Sequence, residues 1–172
     1  EGAKAQNIRD SLRYYFTLFG QPSPDARWGF SIEGHHLSLN FVVDKGSVAA
    51  FTPFFLGANP ADVKGDYGVG PKKGTRVLKN EEDFAFKLIN SCDEAQLKQA
   101  LLAEMAPKDI RGAGDPQPPK NTPTGLSGSK MTKDQLSTLK SLITSYTDNM
   151  PKTVAAERLA AIDKDGLDKI YF

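Results

Sequence analysis

The chain has 172 residues, of which 39% are hydrophobic and 25% charged, with a formal net charge of +1. That balance fits one soluble globular domain with a real core, and it exerts no global pull toward nucleic acid or an anionic membrane. No run approaches the roughly 18 apolar residues of a membrane span, and the lone Cys92 excludes an internal disulfide and a multi-cysteine zinc site.

Ile8, Leu12, Tyr15, Phe16 and Phe19 recur at helical spacing ahead of Gly20, which predicts a helix over residues 3–19. QPSPDAR follows as a loop, and the period then changes to two. Trp28, Phe30 and Ile32 alternate with Gly29, Ser31 and Glu33; beyond Gly34, Leu37, Leu39, Phe41 and Val43 alternate with His36, Ser38 and Asn40. Asp44, Lys45 and Gly46 supply a hairpin turn, with Gly46 suited to positive φ. The next strand runs to Pro53, which cannot donate in a central ladder, and PFFLGANPADV is then expected to leave the sheet through a turn at Gly57–Pro60. Residues 57–76, rich in glycine, proline and lysine, read as an irregular connection. Within them GVGPKKGT lacks the spacer and the Gly-Lys-Ser/Thr ending of a nucleotide phosphate loop.

Four helical segments follow. Asn80 with Asp83 caps a short helix carrying Phe84 and Leu88. Asp93 and Gln96 form a capping-box pattern before Leu97, Leu101 and Met105. Cys92, just ahead of that cap, reads as a half-buried structural thiol. Thr132 and Gln135 open the strongest helix, with Leu136, Leu139, Ile143 and Tyr146 as one stripe, and a last helix carries Val154, Leu159 and Ile162 toward Gly166. These stripes read as core faces. Residues 107–130 are proline- and glycine-rich without periodicity, and a loop of that length is expected to pack on something or cover a site. Ile170 and Phe172 begin a strand-like alternation without a visible return. The chain is therefore expected to be the N-terminal portion of a larger single-domain protein. The rest of its sheet would come from the remainder of its own polypeptide or from a second chain.

The only two histidines, His35 and His36, stand together after Gly34. Strand neighbours face opposite sides, so pleating predicts that they diverge. His35 then joins the apolar face of Leu37 and Leu39, and His36 the polar face of Ser38 and Asn40. A bulge at Gly34 would re-aim them. Neutral imidazole is a ligand for zinc, copper or iron, and a neighbouring carboxylate or amide can orient it. His35 and His36 are thus the candidate metal ligands, His36 and Glu33 the candidate acid–base groups, and Ser38 and Asn40 their orienting partners. A complete site needs three or four ligands, so it must add carboxylates or borrow donors from outside the chain. Ligand type alone does not choose the metal.

WGFSIEGHHLSLNF, TPFFLGANPADV, GTRVLKNEEDFAFKLINS, the Ala-Pro-x-Asp-Ile run at 106–110 and GLDKIYF at 166–172 resemble the uncharacterised bacterial family of domains of unknown function numbered 3500. The resemblance covers nearly the whole chain. It implies members that continue past Phe172 into further strands and a second motif of His-x-His type, so that a site joining both motifs has half its ligands here. It also implies an exported protein, periplasmic or extracellular, and it supplies no reaction. The resulting expectation is an α+β protein, a mainly antiparallel sheet with flanking helices. Its function reads as that of a metal-binding enzyme, redox or hydrolytic, built on the Gly-His-His motif. The alternative is a non-catalytic ligand-binding or structural protein whose strand histidines satisfy hydrogen bonds.

Overall fold

The computed structural model describes residues 10, 12–108, 120 and 122–172. The architecture is α+β, with a five-stranded antiparallel sheet and, among the described residues, four α-helices. The chain divides into two compact units: one holds the chain up to Lys79 together with Tyr146–Leu159, the other Asn80–Ser145 with Ala160–Phe172.

The first unit carries the sheet: β1 (Tyr15–Phe19), β2 (Arg27–Gly34), β3 (Leu37–Asp44), β4 (Ser47–Ala50) and β5 (Phe54–Leu56). β3 is the hub. It pairs with β2 along one edge and with both β4 and β5 along the other. The register sets Phe30 opposite Phe41 and Ile32 opposite Leu39 on one apolar face, as the alternation predicts, but that face is half-buried, and the buried residues of β2 are Gly29 and Ser31 on the other. Ring contacts run across the sheet, stacked from Phe16 to Phe30 (5.4 Å between centroids) and Phe41 (4.3 Å), then tilted to Phe51 (4.5 Å) and Phe54 (5.2 Å). Each such pair contributes about 0.5–1.5 kcal/mol beyond its buried area. The turn after β3 forms as expected, with Lys45 at φ 49° and Gly46 at φ 75°, as a primed two-residue hairpin turn requires.

One expectation fails here and another holds only in part. Residues 15–19 form a strand, not the end of a helix; residues 1–9 and 11 of that expected helix lie outside the described residues. Over so short an apolar run the helical spacing is ambiguous. YFTLF is rich in aromatic residues that suit a pleated surface, and the free edge of β2 takes it up with Phe16 opposite Ile32 and Leu18 opposite Phe30. The stretch after Pro53 does leave the sheet from Gly57, as expected, but only after Phe54–Leu56 has paired with β3 as an unexpected fifth strand. β4 ends at Ala50, but 37–39 of β3 still offer backbone groups that it leaves unpaired, and Phe54–Leu56 satisfies them.

The second unit is helical. α1 (Lys79–Asn90) starts one residue before Asn80, which therefore lies in its first turn and is not the cap. α2 (Glu94–Ala100) and α3 (Lys133–Thr147) have the caps their sequences announce. Gln96 N–H donates to Asp93 Oδ1 (2.8 Å) while Asp93 N–H donates to Gln96 Oε1 (3.1 Å). Thr132 and Gln135 repeat the exchange at 2.9 and 3.2 Å. The two capping glutamines then grip each other. Gln96 Nε2 donates to Gln135 Oε1 (3.0 Å), and Gln135 Nε2 donates to Gln96 Oε1 (2.9 Å) and to the Ser91 carbonyl (2.9 Å). Gln135 is only 3% exposed, so this clasp satisfies an amide that would be costly to bury alone.

The clasp also turns α3. Its buried face is Gln135, Thr138, Leu139, Leu142 and Ser145, whereas Tyr146 of the expected stripe is exposed. Thr138 and Ser145 are tolerated inside because their hydroxyls donate to the helix's own carbonyls, at Asp134 (3.0 Å) and Leu142 (2.7 Å). α4 (Lys152–Asp165) begins in the first unit and ends in the second, where its Asp163 Oδ1 takes an ion pair from Lys140 Nζ of α3 at 2.7 Å.

Of the proline-rich stretch, residues 109–119 and 121 lie outside the described residues; Pro107 and Pro123 are exposed, while Leu126 is fully buried. The strand-like end at 170–172 does find a partner, contrary to expectation. Phe172 N–H donates to the Leu126 carbonyl (2.9 Å), Leu126 N–H to the Phe172 carbonyl (2.7 Å) and Gly128 N–H to that of Ile170 (2.8 Å). Gly125, at φ 112°, allows the approach, since a Cβ there would stand 2.5 Å from the Phe172 oxygen.

The clasp is testable. Gln135→Ala is expected to destabilise by about 1–3 kcal/mol, the range for stranding buried hydrogen-bonding groups. A urea-melt cycle with Gln96→Ala should show coupling of about 0.5 kcal/mol or more, as expected for direct partners. Strict additivity would mean that the amide pair stores no energy.

Candidate functional site

The β2–β3 ladder runs from Arg27 opposite Asp44 to Gly34 opposite Leu37 without a shift. His35 and His36 are thus not strand residues; they are the two residues of the connecting turn. Lys45 is the only described non-glycine residue with positive φ, so this is not a primed turn.

Turn residues escape the pleat, and the expected divergence does not occur. The two imidazoles lie side by side, 4.2 Å between centroids and tilted by 59°. The expected burial is also reversed, with His35 exposed and His36 half-buried. Gly34 seats no bulge. Its bare Cα is covered by the Tyr14 ring, into which a Cβ would run.

A glycine outside the motif holds His36. Gly57 N–H donates to the His36 carbonyl (2.9 Å), and a Cβ at Gly57 would stand 2.7 Å from His36 Nδ1 and 3.1 Å from Phe55 Cζ. Sequence reasoning missed both Gly57 and Tyr14. The available signal was a glycine directly after the apolar run of β5, where backbone and ring must come close.

The polar groups of the candidate site do gather. Glu33 stands opposite Ser38 and Ser31 opposite Asn40. Ser38 Oγ donates to Glu33 Oε1 over a long 3.5 Å, Asn40 Nδ2 donates to Ser38 Oγ (3.1 Å), and the same amide donates to the Pro53 carbonyl (2.9 Å). Ser31, 1% exposed, keeps a hydroxyl without a protein partner under this row. The row orients Glu33 through Ser38. Among the described residues no group of three or more His, Cys, Asp or Glu side chains could hold a metal ion, so the hairpin end alone does not fit a complete metal site. It brings two imidazoles together, that of His35 exposed and that of His36 half-buried with its Nε2 turned away from solvent.

Cys92 behaves as expected of a structural thiol. Sγ donates to the Leu88 carbonyl at 3.4 Å, and burial, followed by the Asp93 carboxylate, pushes the thiol above its ordinary range. Both effects work against the reactive thiolate.

An α+β chain with twin histidines at a hairpin tip is the class that fold and site define. The chain belongs to the family described as Protein of unknown function (DUF3500), whose model matches residues 3–172. No curated protein and no solved structure matches it. Among the described residues, no helix is long and apolar enough to cross a membrane.

The reversed burial yields a stability order. His35→Ala, at an exposed turn position, should change unfolding free energy by less than about 0.5 kcal/mol, while His36→Ala should cost about 1 kcal/mol. Gly57→Ala should match or exceed the latter and displace the His36 imidazole resonances in an NMR spectrum. Equal melting curves for all three variants would remove the packing role assigned to His36.

Cys92 gives a pH signature. The unfolded thiol ionises first, so the folded chain binds more protons and stability falls as pH rises through the ordinary thiol range. Cys92→Ala should flatten that fall in pH-dependent denaturation. An unchanged slope would show that the thiol is not held neutral by the fold.

Proposed function

We propose that the hairpin tip is one half of a metal-binding site, with His35 and His36 as neighbouring donors. Its remaining ligands come from outside the described residues, from the remainder of the polypeptide or a second chain. The observation that supports this reading is the 4.2 Å approach of the only two imidazoles in the chain. Imidazole donors suit zinc, copper or iron. In this reading the protein is a redox or hydrolytic enzyme acting outside the cytoplasm, in keeping with the exported character its family resemblance implies. Exposed Glu33 and half-buried His36 are its proton-handling groups, with Ser38 holding the carboxylate and Asn40 holding Ser38.

A second reading, a non-catalytic ligand-binding or structural role for the pair, is favoured by one observation: the His36 backbone and ring are both engaged by Gly57.

Titration with Zn²⁺, Cu²⁺ and Fe²⁺, followed by calorimetry and by imidazole NMR, separates the two. The expected result is saturable binding that moves both histidine resonances and is abolished by His35→Gln or His36→Gln. Cu²⁺ should bind more tightly than the others. Imidazole signals that none of the three ions moves, or binding that survives the double substitution, would leave the structural reading in place.

A further inference from the structure

The segment 62–76 is a closed loop, not a loose connection. Its ends meet through the Asp62–Arg76 bridge, with Val63 N–H donating to the Thr75 carbonyl (3.0 Å) and Gly74 N–H to that of Val63 (2.8 Å). The Asp62 carboxylate adds ion pairs to Lys64 (3.3 Å) and Arg76 (3.9 Å). Nearer the tip, Lys73 N–H donates to Asp66 Oδ1 at 2.8 Å. Between these anchors residues 66–72 curl round a concavity of about 400 Å³, lined by nothing else.

The backbone of that curl has an alternating hand. Gly68 (φ 76°) and Gly70 (φ 79°) are left-handed, while Tyr67 and Val69 keep negative φ. Alternating φ of this kind is the backbone pattern of an anion-binding nest, in which successive N–H groups turn toward one side. Among the described residues no backbone carbonyl takes up the N–H groups of Gly68, Val69 or Gly70. Nothing lies within 4 Å of where a Cβ would stand on either glycine, so the concavity is open. Lys72 lines it and Lys73 follows. The Asp66 carboxylate also lines it and opposes an anion, but one of its oxygens is held by Lys73 N–H, and the two ammonium groups leave the tip net positive.

We propose that residues 66–72 bind a phosphate group, through the N–H groups of Gly68, Val69 and Gly70 and the Lys72 ammonium. This is not a nucleotide loop, for it lacks the Gly-Lys-Ser/Thr ending. The concavity has room for a phosphate and part of the group that carries it. Tyr67 (71% exposed) and Val69 (84% exposed) flank it, so the phosphate belongs either to a soluble ester or to a lipid headgroup.

Inorganic phosphate is the first probe, titrated at constant ionic strength against chloride while backbone amide resonances are followed. Saturable shifts confined to residues 66–73 are expected, weakened about tenfold by Lys72→Glu, the scale of one charge-assisted contact. Sedimentation with phosphatidic acid and phosphatidylcholine vesicles is the second arm. Retention on the former alone, competed by inorganic phosphate, makes the lipid headgroup the source; phosphate binding without retention makes a soluble phosphate the source. Shifts that chloride reproduces, that spread over lysines elsewhere, or that Lys72→Glu leaves intact, together with no vesicle retention, overturn the proposal.

Discussion

Every strand of the sheet depends on the register of one ladder, that between β2 and β3. A slip of one residue would move Phe30, Ile32, Phe41 and Leu39 to the opposite face and set Glu33 among the rings. The two-residue turn at His35 and His36 prevents the slip, because closure at Gly34 and Leu37 leaves no spare residue. β3 then presents its far edge to β4 and β5, and β2 its far edge to β1. The histidines are therefore fold residues before they are anything else, and a ligand bound to them would act on the corner that sets the register.

In the helical unit the corresponding constraint is polar. Two capping boxes, each satisfying the orphan donors of its own helix start, share their glutamines in a reciprocal amide pair. Adding the Ser91 and Lys130 carbonyls makes a network in which both side-chain amides are used from both ends. Leu88, Leu126, Leu139 and Leu142 supply the apolar burial, but they do not specify which way α3 is turned. The amide pair does, because satisfying the buried Gln135 amide from half-buried Gln96 and the Ser91 carbonyl rigidifies one arrangement of the helix starts.

Family membership and geometry bear on different questions. The match over residues 3–172 places the chain among relatives but carries no reaction. The geometry contributes two imidazoles in contact, a carboxylate held by Ser38, and a glycine that positions His36. That set is insufficient to close a metal's coordination among the described residues, which is why the proposed function requires donors from elsewhere.

The sequence by itself determined the features that depend on near neighbours. Alternation in 28–43, the turn at Lys45 and Gly46, and both capping boxes were legible because each is a contest among residues a few positions apart. The grouping of Glu33, Ser38 and Asn40 was legible too, since period-two spacing and a short turn put them on one face. Only tertiary structure decided the rest. Tyr15–Phe19 became a strand because β2 offered an unpaired edge, and Phe54–Leu56 returned to the sheet because β3 did. The end at 170–172 found Leu126, a partner no local pattern announces. The histidines converged because pairing of Gly34 with Leu37 took them out of the pleat, and pairing is a property of two strands together.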